Sequence, residues 1–182
     1  MDIIRRPLLV ALTTLLGAAL IACGDDTKKD AASAKPAATL KGDGFSVEMP
    51  GKPKRQVLTA PTAAGPLPVT AYITEGGDEG YSMSVLKVPK GGRFDLDGAI
   101  QGAAANVNGS LKDRSQTSYQ GYPARDARIT NAADKNGNKG TVFARVILAE
   151  GRVFQLQFVT GGGNVKSAPA AYTRFVSSLR IG

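Results

Sequence analysis

The chain of 182 residues has one cysteine, Cys23, and no histidine. The thiol ends an apolar run from Leu8 to Ala22, and Arg5 and Arg6 stand ahead of that run. A domain folded behind it therefore has no disulfide and no thiolate metal site, and must hold together by its core alone. About 140 residues remain for that purpose, enough to bury roughly 68–70% of the surface an unfolded chain exposes. The lack of imidazole also excludes His-based triads, most zinc sites and the usual proton shuttle near neutral pH.

The apolar run is 15 residues long and includes Thr13 and Thr14. A membrane-spanning helix needs about 20 apolar residues, whereas a shorter run behind positive charge suits the core of a signal peptide. Residues 1–22 are read as that peptide. Leu20-Ile21-Ala22-Cys23 resembles the lipobox of bacterial lipoproteins. The resemblance implies that the Cys23 thiol takes a diacylglyceryl group and becomes the first residue of the mature chain. Two or more acyl chains hold a protein firmly on a membrane. The expectation is an exported protein, lipid-anchored on the outer face of the inner membrane or on an outer membrane where there is one. No cofactor beyond that covalent lipid is expected.

Lys and Arg number 23 against 15 Asp and Glu, a net charge of +8. The basic residues are dispersed, with no block of five or six like charges, so a generally solvated surface explains most of the excess. Outside the cytoplasm the available polyanions are lipid head groups and anionic envelope polymers, and nucleic acid is not expected as a partner.

Residues 23–41 contain Asp-Asp-Thr-Lys-Lys-Asp and then Ala, Ser, Pro and Lys, with almost nothing to bury, and are read as a disordered tether. Residues 42–182 form the domain. Phe45, Val47 and Met49 alternate with polar residues and give a half-buried strand ended by Pro50-Gly51. Strands are predicted over 55–60, 67–73, 81–88, 111–119, 124–130, 141–149 and 152–160. Glu150-Gly151 makes a two-residue turn, and Asn136-Gly137 makes the hairpin signal before residue 141. Ile100, Ala103, Ala104, Val107 and Leu111 recur at helical spacing, with Asp95 or Asp97 as N-cap and Gly109 at C′. A second helix carries Tyr172, Phe175, Val176 and Leu179 on one stripe, with Ser167 as N-cap and Pro169 in the first turn. The fold class is α+β: a single antiparallel sheet of about 6–8 strands covered by two helices.

Three short segments stand in order behind the lipobox and tether: Phe45-Ser46-Val47-Glu48-Met49-Pro50, Gly121-Tyr122-Pro123-Ala124-Arg125-Asp126 and Phe175-Val176-Ser177-Ser178-Leu179. The series resembles lipoproteins with a PsbP-like domain, including the LpqN type. The resemblance implies an α/β/α sandwich around one antiparallel sheet. It also implies non-enzymatic work, either assisting an assembly or binding partners or small ligands.

Motifs of catalysis fall short on inspection. In Thr160-Gly161-Gly162-Gly163-Asn164-Val165-Lys166-Ser167, Val165 stands where a phosphate-binding loop needs glycine. Asp95-Leu96-Asp97-Gly98 begins like a calcium loop, but Ala99, Ile100 and Asn106 occupy the positions that need a ligand, a glycine and a glutamate. Glu48 and Asp126 are the main strand carboxylates, and nothing in the sequence sets them facing each other as glycoside hydrolysis requires. Tyr119, Tyr122, Arg125 and Arg128 form the best polar-aromatic cluster, of residue types enriched at binding hot spots, and are the candidate partner-binding residues. Along a strand, Asp126 and Arg128 share one face and Arg125 takes the other, so that Asp126 and Arg128 can pair. The sequence thus describes a non-enzymatic, membrane-anchored binding or assembly module whose partner is an envelope protein or anionic envelope polymer. The alternative is a carrier of a small apolar or amphipathic ligand between sheet and helix.

Overall fold

The computed structural model describes residues 37–62, 65–76, 79–133, 137–161, 165–166 and 168–182. Residues 1–36, with Cys23 among them, lie outside the described residues, as do Asp78, Asn136 and Ser167. Among the described residues the order is β1 (Ala37–Gly42), β2 (Phe45–Pro50), β3 (Lys54–Ala60), β4 (Leu67–Gly76), β5 (Glu79–Lys87), α1 (Leu96–Asn106), β6 (Ser110–Tyr119), β7 (Tyr122–Ala133), β8 (Lys139–Ala149), β9 (Arg152–Gly161), α2 (Ala170–Ser177) and β10 (Arg180–Ile181).

Seven strands pair antiparallel in the order β3-β4-β5-β9-β8-β7-β6. Two tight connections use left-handed pairs of residues. Gln120-Gly121 (φ 51° and 83°) joins β6 to β7, and Glu150-Gly151 (φ 49° and 69°) joins β8 to β9. Positive φ at both positions matches the turn to the right-handed twist of the strands. At its edges the sheet is polar: β3 opens with Lys54-Arg55-Gln56, and β6 carries Lys112, Asp113 and Arg114 across a bulge between Leu111 and Asp113. Charge and a bulge both discourage pairing with another chain.

Residues alternate between the two faces of this sheet, and each face has its own core. One face carries Met83, Phe154, Leu156, Phe158, Phe143 and Ile147, which pack under Tyr172, Phe175 and Val176 of α2 and Leu179 beyond it. Val69, Leu86, Val153, Val146 and Ala144 lie on the other, beneath Leu96, Ala99 and Ile100 of α1. The Gln155 and Gln157 side chains also lie on that second face and are buried; Gln157 accepts a long bond from Ser82 Oγ at 3.4 Å.

The expectation of a single sheet is corrected. A second, three-stranded sheet, β1-β2-β10, lies over the first face beside α2. In β2 the alternation is as read, with Phe45, Val47 and Met49 all buried. They face down onto the large sheet: the Phe45 ring meets Tyr72 and Phe154 edge-on, at centroid distances of 6.1 and 5.7 Å. Alternation has the same signature in a strand paired within a sheet and in a strand laid across one, which is why the sequence alone does not separate them.

The tether boundary moves for a related reason. Residues 37–42 pair along the full length of β2, from Ala37 opposite Pro50 to Gly42 opposite Phe45. Only Leu40 on this strand packs against the core, so its composition reads as linker although its backbone is fully used. The helix ends shift as well. Asp95 is the cap of α1, its carboxylate accepting from the Asp97 amide at 2.9 Å. Leu111 lies on β6, and it is Asn108, with φ 47°, that makes the left-handed exit after the Val107 C-cap, a conformation asparagine tolerates. Gly109 follows where a Cβ would stand 2.4 Å from Ile129 Cγ2. Pro169 occupies the N-cap position of α2 rather than its first turn.

Candidate functional site: a cleft between the sheet and the second helix

The four residues singled out in the sequence do not share one surface. Tyr119, at the end of β6, sends its hydroxyl beneath the end of α2 and donates to the carbonyls of Val176 (2.7 Å) and Leu179 (2.8 Å). Val176 lies in the last turn of α2, where a helix leaves carbonyls without intrahelical partners, and Leu179 follows just beyond its end. Tyr119 is thus committed to structure. Tyr122 donates to Glu150 Oε1 at 3.1 Å, close to the turn between β8 and β9. Arg125 lies on the α1 face, where its Nε and Nη2 reach Asp97 Oδ1 and Oδ2 at 3.1 and 3.2 Å, and Arg114 approaches the same carboxylate at 3.6 Å. Those guanidinium bonds hold the Asp97 carboxyl below its ordinary range, against the small opposing effect of desolvation. Arg128 points to the opposite face. Only 17% of the Arg125 side chain and 15% of the Arg128 side chain are exposed, so neither is a free surface cation.

Asp126 and Arg128 share a face, as strand alternation requires, but they do not pair with each other. Each takes the residue directly opposite on a neighbouring strand: Asp126 stands across from Arg145 on β8, and Arg128 across from Asp113 on β6. Directly opposite side chains are closer than those two apart along one strand. The Arg145 guanidinium meets Asp126 with two bonds of 2.6 Å, from Nε to Oδ1 and from Nη2 to Oδ2. Arg128 Nε donates to Asp113 Oδ2, and its Nη1 donates to the Val165 carbonyl at 3.2 Å.

These two ion pairs form the wall of a cleft of about 420 Å³ between β6-β7-β8 and α2. Lys166 stands at its rim, Phe143 and Val176 give it an apolar side, and Tyr172 of α2 closes it from above. Tyr172 is 7% exposed, and its hydroxyl has no hydrogen-bond partner among the described residues. Burial, reinforced by the negative charge of Asp126 and opposed by Arg145, raises the phenol above its ordinary value, so it remains a neutral donor. Arg145 also stacks over the Tyr119 ring at 5.5 Å. Its bond to Asp126 raises its own affinity for a proton, outweighing the cost of burial.

The sequence reading found Arg128 but missed Arg145, Asp113, Lys166 and Tyr172. One signal was present: Arg145 is the only charged residue between Thr141 and Ala149, in the middle of an otherwise apolar strand. A charge at such a position needs a specific partner. Tyr172 belongs to the apolar stripe of α2, and no pattern distinguishes a stripe residue that closes a core from one that borders an opening.

Both carboxylates of the cleft, Asp113 and Asp126, are tied to guanidinium groups. Among the described residues no three His, Cys, Asp or Glu side chains gather as metal ligands, and no helix is long and apolar enough to cross a membrane.

In sequence, no family model and no curated protein matches the chain. In structure, the chain is similar to cyanobacterial PsbP (CyanoP) from Synechocystis sp. PCC 6803, at 12% identity and a TM-score of 0.56, covering 87% of this chain and 98% of that one. It is also similar to the Ran-binding protein Mog1p of Saccharomyces cerevisiae, at 13% identity and a TM-score of 0.45, covering 81% and 95%. The first of these likenesses shows a PsbP-like fold.

Proposed function

We propose that this protein is a non-catalytic binding module, held on a membrane by lipid at Cys23, and that the cleft between α2 and β6-β7-β8 seats its partner. The observation that carries the reading is the cleft of about 420 Å³ with an unpaired, buried Tyr172 hydroxyl on its wall. A buried donor without a partner costs about 1–3 kcal/mol, a cost that an incoming acceptor removes. The lipobox and the lack of histidine support the same reading from the sequence.

The test fills the cleft without touching its ion pairs. Ala168 is exposed and lines the opening, and Ala168→Trp places an indole there. Crosslinked capture from detergent-solubilised membranes is expected to recover a partner with the wild-type chain and not with this variant, while both melt alike. Equal capture discards the cleft as the site. Turnover of an envelope polymer by the purified protein discards the non-catalytic reading.

The carrier alternative is favoured by the apolar side of the same cleft. Under it, native mass spectrometry of the wild-type protein shows a bound small molecule that Ala168→Trp lacks.

A further inference from the structure

We infer that the end of the sheet at which the chain enters the domain is a membrane-docking surface for anionic lipid head groups, formed by Lys52, Lys54 and Lys139. The inference rests on the lipid anchor proposed above and adds which way the domain faces.

Position comes first. Thirteen residues, 24–36, separate Cys23 from Ala37, the first residue of β1. Even fully extended they reach only about 45 Å, and as a flexible coil about 20 Å. Ala37 lies opposite Pro50, so the chain enters the fold beside Pro50, Gly51 and Lys52. Lys54 opens β3 at this end, paired with Ile73. The seven-stranded sheet is antiparallel, so β8 begins at the same end, and its first residue is Lys139. From β3 to β8 is four strand steps, about 19 Å, a span that a flat lipid surface meets at once.

Lys52, Lys54 and Lys139 are all exposed, and among the described residues no salt bridge takes them. At the opposite end the cations are more often neutralised: Lys87 meets Asp43 at 3.3 Å and Arg152 meets Glu150 at 3.1 Å. Beside Lys52 and Lys54 is a hollow of about 300 Å³, bordered by Pro50, Thr74 and Glu75. Glu75 and Glu79 are the described carboxylates at that end of the sheet, and the three lysines outnumber them.

A basic residue near an anionic leaflet strengthens binding by about fivefold, and the effect decays within a Debye length. The experiment uses the mature chain, residues 23–182 with Cys23→Ser, so that no acyl chain contributes. It is sedimented with vesicles of phosphatidylcholine alone or mixed with phosphatidylglycerol. Binding is expected only to the mixed vesicles and is expected to fall as salt is raised. Lys52→Gln/Lys54→Gln/Lys139→Gln is expected to weaken it about a hundredfold. Lys41→Gln/Lys90→Gln/Arg93→Gln removes equal charge from the other end and is expected to change it less than threefold. Equal loss in the two triple variants overturns the inference, because net charge alone then explains binding. No binding to either vesicle overturns it as well, and lysine-dependent retention on heparin in that case assigns the surface to an anionic polymer. Acyl mass on wild-type Cys23 is measured separately, so loss of the anchor and loss of the surface are distinguishable.

Discussion

At the scale of single residues, the molecule uses alternation on β7 to divide its charges between two faces. Arg125 holds the start of α1 through Asp97, while Asp126 and Arg128 face the cleft with their cross-strand partners. Because the Asp97 carboxyl is depressed in the fold, its contribution is fully present above the ordinary carboxylate value of 3.8 and is lost as pH falls through the lower folded value. Asp97→Asn is therefore expected to flatten the acid limb of a stability-against-pH curve below about pH 4, measured by urea unfolding. An unchanged limb would show that the Arg125 bonds add nothing in solution. Tyr172 offers the opposite kind of test. Removing a buried hydroxyl with no partner is expected to stabilise the empty protein, so Tyr172→Phe should gain about 1 kcal/mol in urea unfolding while weakening partner capture. A loss of stability would mean that the hydroxyl is already satisfied.

At the scale of elements, most strands were legible because their apolar residues alternate, and both helices because their stripes repeat at helical spacing. What the sequence withheld were the strands with little to bury. β1 pairs through its backbone, and a backbone partner leaves no mark on composition. A chain beginning at Ala37 is expected to melt cooperatively near the full mature chain, whereas one beginning at Phe45 leaves one edge of β2 unpaired and should melt many degrees lower. Equal melting of the two would make β1 dispensable. On α2, Phe175 stands edge-on to Tyr81 at 5.5 Å and is 3% exposed. Phe175→Ala is expected to cost about 3–5 kcal/mol by chemical denaturation, and a cost below about 1 kcal/mol would detach α2 from the core. The cleft was less legible than the fold. Its pairs form across strands, between residues 15 and 19 positions apart in sequence, and register decides which they are.

At the scale of the whole molecule, the sheet sits between α1 on one side and α2 with the small sheet on the other, and ahead of it stands Leu20-Ile21-Ala22-Cys23, which resembles an acylation motif. Cys23→Ala is expected to move the protein from the membrane to the soluble fraction with loss of acyl mass. Retention on the membrane with that mass unchanged would remove the lipid anchor from the proposal.

The small sheet also sets an order of events. β2 is flanked by β1 and by β10, so strands from the two ends of the described chain meet on one strand between them. The central pair of the large sheet, β5 with β9, likewise joins residues as distant as Tyr81 and Phe158. Such long loops must close before their contacts repay the entropy, so folding is slow. A nascent chain emerging from its N-terminus thus has one seam it cannot sew until residues 180–181 arrive. Up to that moment β2 has an open edge, although every strand of the large sheet, residues 54–161, has already arrived.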